Sequence, residues 1–129
     1  MGNNTRKTIC DDEEDYVPEF RMIISGGVKH ISASAQNAAA VKKDGSLCVG
    51  GRDIKSGARK YSAKPEKIAE NVRQAVLADT RLDSYLMHIP KSVILYVKKD
   101  GKAYGRGSNY NFMLSDSCKA GWQSKPVFL

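Results

Sequence analysis

Long hydrophobic runs are missing. No stretch of about 18 apolar residues occurs, so there is no candidate membrane helix and no membrane partner is expected. No apolar segment follows Arg6 and Lys7, and Arg6 stands where a myristoylation signal needs Ser or Thr. The expectation is an unanchored chain made in the cytoplasm. Cysteine is scarce: Cys10, Cys48 and Cys118 are odd in number and widely spaced, which suits neither a disulfide framework nor a zinc site. The two histidines, His30 and His88, have no second ligand at metal spacing, so no metal or other cofactor is expected. A nucleophile elbow is absent, as are a phosphate loop and a dinucleotide fingerprint; Gly26-Gly27 and Gly50-Gly51 lack the required Lys or third Gly. The reading is therefore non-enzymatic, with no catalytic residue to name.

What is present is enough for a real core, with 129 residues of which 41% are hydrophobic. The net charge of +7 hides a segregation: Asp11-Asp12-Glu13-Glu14-Asp15 is wholly acidic, and the rest of the chain taken without it carries +12. A basic body attracts acidic surfaces, and an acidic arm screens it or docks on a basic neighbour. Residues 1–17 have no apolar periodicity and are expected to form a mobile arm.

From Pro18 onward, short β-branched or apolar runs alternate with Gly, Asn, Asp and Pro, which is the pattern of many short strands. An internal repeat organises them. Val41-Lys42-Lys43-Asp44-Gly45 recurs as Val97-Lys98-Lys99-Asp100-Gly101, and Gly51 and Gly107 follow at the same offset. Val28-Lys29-His30 matches Val72-Arg73-Gln74, and Pro18-Glu19 matches Pro65-Glu66. Asp-Gly between strands signals a hairpin, because Gly supplies positive φ without steric cost. Ala38-Ala39-Ala40 alone tempts a helix, but its repeat partner, within Val93-Ile94-Leu95-Tyr96-Val97, is β-branched and aromatic. Two units of four strands are expected, at about 18–64 and 65–125, with Pro126 to Leu129 reading as the start of a third.

These motifs resemble the regulator of chromosome condensation repeat family, whose blades form circular β-propellers. Val28, Ile31, Ser32, Ala33, Asp44, Gly45, Leu47 and Gly51 fit its blade pattern in the first copy, and Asp100, Gly101, Tyr104, Gly107, Asn109 and Leu114 in the second. Asn37 stands at the family's His position, and Gly50 and Arg106 at its Trp. The resemblance covers about residues 18–129 and implies an all-β, propeller-like fold; a β-sandwich of hairpins is the alternative. It carries over blade-building positions and no partner-binding residue.

Two blades alone would leave apolar faces without neighbours, so completion by copies of the chain or another structural protein is expected, with three subunits favoured. The alternative is that residues 126–129 close a small monomeric fold, or that the chain is a piece of a longer protein. Val127, Phe128 and Leu129 are candidate subunit contacts. The second unit carries two insertions. Val72 to Val97 spans 25 steps against 13 for Val28 to Val41, and Gly107 to Pro126 spans 19 against 14 for Gly51 to Pro65. They supply Tyr85, Leu86, Met87, Ile89, Tyr110, Phe112 and Trp122 as candidate partner contacts, or as cover for the chain's own core. The expected role is a structural or docking subunit of a larger assembly, for which an accessory virion protein of a phage head or tail is one setting. The alternative is a nucleic-acid-associated module using the basic patch Lys42, Lys43, Lys98 and Lys99.

Overall fold

The computed structural model describes residues 2–3, 16–17, 22–34, 36–56, 60–79, 92–109, 114, 117–118 and 120–129, and every regular element among them is a strand. Strands β1 (Gly2–Asn3) and β2 (Tyr16–Val17) pair with each other, apart from the rest. The acidic run of the expected arm lies outside the described residues. Strands β3 (Val28–Ala33), β4 (Asn37–Lys42), β5 (Leu47–Arg52) and β6 (Tyr61–Ala69) form one antiparallel sheet in sequence order. Strands β7 (Val72–Asp79), β8 (Ser92–Lys98), β9 (Ala103–Ser108) and β10 (Trp122–Phe128) form a second in the same order.

The repeat sets this symmetry residue by residue. Both Asp-Gly hairpins form, each as a three-residue loop rather than the tighter two-residue turn. The Gly45 and Gly101 amides donate to the Lys42 and Lys98 carbonyls, and only the glycines take positive φ, 87° and 85°. Asp44 and Asp100 brace the loops by accepting the amides of Ser46 and Lys102. Ala38 to Ala40 lies within β4, as its repeat partner required, because five cross-strand pairs with β5 hold it extended.

The phase of the repeat differs from the sequence reading. Pro65 lies inside β6 and Pro126 inside β10, so the joint between units falls at Glu70-Asn71 and not at Pro65. Likewise Pro126 to Leu129 does not begin a third unit: it completes the second sheet, with Val127 opposite Gly105, Phe128 opposite Tyr104, and the Leu129 amide on the Ala103 carbonyl. Proline cannot donate to a ladder and is confined to edge strands and bulges. Both prolines sit on an edge strand, where the register shifts. They mark where a unit finishes.

The core lies between the sheets. Ala39, Val41, Leu47 and Val49 of the first, with Ile54 from the loop after β5, cluster with Val72, Ala75, Leu77, Ile94 and Tyr96 of the second. Hydrogen bonds among the described residues cross this junction: Leu77 amide to Ser32 Oγ (2.9 Å), Val72 amide to Gly45 carbonyl (2.9 Å) and Trp122 Nε1 to Ile54 carbonyl (3.2 Å).

Candidate functional site

The strand registers assign every side chain of the first sheet to one of two faces. Ser32, Ala39 and Val49 stand in line, as do Val41 and Leu47, on the face that packs on the second sheet. Ile31, Ala40 and Cys48, and beside them Ala33, Ala38 and Gly50, occupy the opposite face. All six are apolar or small. Ile31 is 73% exposed, whereas its repeat partner in the second sheet, Ala75, is 2% exposed.

The segment before β3 frames this face. Ile23 (43% exposed) and Ile24 join Ile31, Ala38 and Ala40, with Ala63 and Pro65 of β6, around a depression of about 510 Å³. Its depth has a simple origin. Ala33, Ala38, Ala40, Cys48 and Gly50 hold the places that Leu77, Ile94, Tyr96, Tyr104 and Arg106 hold in the second sheet. At the junction Leu77, Ile94, Tyr96 and Arg106 are buried and Tyr104 is half-buried: Tyr96 and Tyr104 stack with centroids 5.7 Å apart, and burial pushes the Tyr96 phenol pKa up and the Arg106 guanidinium pKa down. Burial also pushes the Cys48 thiol up, which disfavours a nucleophilic thiolate there.

Taking each blade's faces in chain order, the first sheet meets the junction with its far face and leaves its near face open, while the second meets it with its near face and leaves its far face open. Val76, Leu95, Gly105 and Val127 stand in line across β7 to β10, with Val97 and Ala103 beside them. Leu129 continues the alternation one residue past Phe128. Val76 and Leu129 are 49% and 44% exposed. Leu114, buried, lies over Gly105, where a Cβ would come within 2.3 Å of its Cδ2.

The structure of human WBSCR16 superimposes on the whole of this chain with a TM-score of 0.69 at 19% identity, and this chain covers 33% of that one. The two sheets are propeller-like blades. That protein is RCC1-like. No family model matches the sequence. No curated protein matches it either.

The candidates named from sequence scatter over the two blades. Tyr85, Leu86, Met87, Ile89, Tyr110 and Phe112 lie outside the described residues. Trp122 is half-buried at the blade junction, where it bonds Ile54. Val127 and Leu129 reach the far face of the second blade, while Phe128 turns the other way and packs edge-on against Tyr104 at 5.6 Å. Lys43 and Lys99 are exposed at neighbouring hairpins, Lys99 lying against Gly45; Lys42 and Lys98 are half-buried, and Lys98 Nζ sits 5.2 Å over the Tyr104 ring. Of the two equivalent pairs, Lys43 and Lys99 are the exposed one, at one end of the blades.

A second depression of about 470 Å³ carries charge, and several of its groups are engaged. Arg52 donates to Gln36, Lys55 pairs with Glu66, and Asp53 accepts the Ser56 hydroxyl and the Lys55 amide. Asp53 corresponds to Asn109, which braces its own loop through the Leu114 amide (2.9 Å). These are devices that fold the loop after the third strand. Among the described residues no group of three His, Cys, Asp or Glu could hold a metal ion.

The first blade's exposed face was absent from the candidates read off the sequence. The signal lay in the repeat: aligning Ala38-Ala39-Ala40 with Ile94-Leu95-Tyr96 position by position shows small residues at the two places that fill the junction.

Proposed function

We propose that the chain is a non-enzymatic structural or docking module of a larger β-sheet assembly, and that the near face of its first blade is the docking surface. The observation that carries this is the equivalence of Ile31 with Ala75, one exposed and the other sealed by a neighbouring blade. Blades stack so that each covers the next, and an apolar sheet face of this kind gains about 25 cal/mol for each Å² withdrawn from water. Incorporation into a virus particle is one setting for such a subunit.

Cys48 lies on this face, so its reactivity reports whether the face is covered. A membrane-permeant maleimide, applied to intact cells making the protein and to the dilute purified chain, should modify Cys48 far more slowly in the cells. Ile31→Asp should remove the protection. Equal rates in both samples would overturn the reading.

The alternative, a nucleic-acid-associated module, draws support from Lys43 and Lys99 projecting at one end of the blades. Binding of a duplex oligonucleotide would then fall steeply with salt and lose slope in a Lys43→Ala, Lys99→Ala variant. Docking through Ile31 would persist in 1 M NaCl, because apolar contact is not screened.

A further inference from the structure

We infer that the occupant of the first blade's near face is the far face of the second blade of another copy of this chain, docked head-to-tail. This rests on the docking reading above and adds the partner and its register.

The chain already contains one such contact. Within it, Ala39, Val41, Leu47 and Val49 of the first blade's far face cover Ala75, Leu77, Ile94 and Tyr96 of the second blade's near face. The repeat carries the first set onto Leu95, Val97, Ala103 and Gly105, and the second onto Ile31, Ala33, Ala38 and Ala40. Applying the in-chain step once more therefore brings two apolar faces together by the rotation that already joins the blades. Such a contact is heterologous, so each copy offers both halves.

The volumes match across the two halves. The near face has lost bulk, with Ala for Ile94, Ala for Tyr96 and Cys for Tyr104. The far face has gained it, with Leu95 at the place of Ala39 and Val76 at the place of Ser32. Where the far face loses Val49 to Gly105, Leu114 fills the space. Ala103 for Leu47 and Ile31 for Ala75 are exchanges in the opposite sense.

The frame of the contact is specified too. In the chain, the Val72 amide bonds the Gly45 carbonyl, and a Cβ on Gly45 would sit 3.2 Å from Asn71 Cα. The equivalents between copies are the Val28 amide with the Gly101 carbonyl, and Gly101 with Gly27. Gly27 (φ 70°) takes the left-handed conformation of Asn71 (φ 57°). A Cβ on Gly101 meets nothing within 4 Å, and one on Gly27 meets only Lys42 Cε at 3.9 Å, so both sites have room for a side chain.

The test is directional cross-linking of the full chain. Gly27→Cys and Gly101→Cys, each alone and then mixed at tens of micromolar, are oxidised and resolved without reductant. The Gly45→Cys, Asn71→Cys double variant is the positive control for the geometry, forming its disulfide inside one chain. The mixture should give a covalent dimer at least tenfold above either single variant, mapped by mass spectrometry to residues 27 and 101, and Ile31→Asp should remove it. Cross-linking of either variant with itself as efficiently as in the mixture would show a symmetric contact and overturn the proposal. So would no mixed product while the control pair closes. If Cys48 is nevertheless protected in cells, the docking face stands with a different occupant; if it is not, the docking reading falls as well.

Discussion

Replacing Gly51 with Ala isolates a requirement that both blades share. Gly51 stands opposite Asn37 in the ladder with φ 97°, and Gly107 stands opposite Val93 with φ 113°. A Cβ on Gly51 would fall 2.3 Å from the Gln36 carbonyl oxygen, and one on Gly107 would fall 2.4 Å from that of Ser92. In the first blade Asn37 locks the bend: fully buried, its Nδ2 donates to the Gly50 and Arg52 carbonyls at 3.2 and 2.7 Å. Ala there meets two penalties, about 1–2 kcal/mol for the left-handed backbone and about 1–3 kcal/mol for displacing a packed backbone carbonyl. Gly101→Ala separates them, because φ is 85° and the space is open. Gly51→Ala should therefore cost about 2–5 kcal/mol against about 1–2 for Gly101→Ala. At about 4 °C per kcal/mol for a domain of this size, the melting temperatures should fall by roughly 8–20 °C and 4–8 °C. Thermal and urea unfolding by circular dichroism at one fixed protein concentration reads both, the fixed concentration removing any contribution of self-association. Equal losses would refute the steric argument, and a harmless Gly51→Ala would refute the register of β4 against β5.

Trp122, the sole tryptophan of the chain, should report the blade junction. Trp122→Phe leaves the Ile54 carbonyl without its indole donor and should cost about 1–3 kcal/mol, and in the wild type the fluorescence transition should coincide with circular dichroism if the blades melt together. Burial works to raise the Asp53 pKa, but hydrogen bonds from the Ser56 hydroxyl and the Lys55 and Ser56 amides outweigh it, leaving the pKa below 3.8. Because the folded value is depressed, the stabilisation is present above the unfolded value and is lost as pH falls through the folded one. Asp53→Asn should thus destabilise at pH 6 by about 1 kcal/mol or less after solvent screening, and make little difference near pH 2. Truncation after Pro126 should lower the β content of the second blade as well as any association, since it removes the Phe128 contact with Tyr104 and the Leu129 amide bond; unchanged circular dichroism would contradict the placement of β10.

Much of the fold was legible because a repeat reports it twice. The duplicated Val-Lys-Lys-Asp-Gly fixed both hairpins, and the β-branched second copy correctly overrode the helix propensity of Ala38 to Ala40. The phase was misread because proline is as much an edge-strand residue as a strand starter, and only the ladder shows which side of the joint it belongs to. The docking face was hidden for a different reason. Alanine and glycine carry no hydrophobic signal strong enough to stand out, and the importance of Ala38 and Ala40 comes from what occupies the matching places in the other copy. Aromatic residues in the long insertions drew attention instead. Trp122, one of them, serves the chain's own interior.

Each blade draws its four strands consecutively from the chain, so no ladder crosses the joint at Glu70-Asn71. Duplicating, deleting or splitting a gene at that joint leaves every backbone ladder whole and changes which groups meet across a face. Blade number can then vary by whole units, while fitness is tuned by swapping large and small residues at alternate strand positions. The small residues of the first blade and the large ones of the second are differences of this kind, set on strands that keep the same two Asp-Gly hairpins.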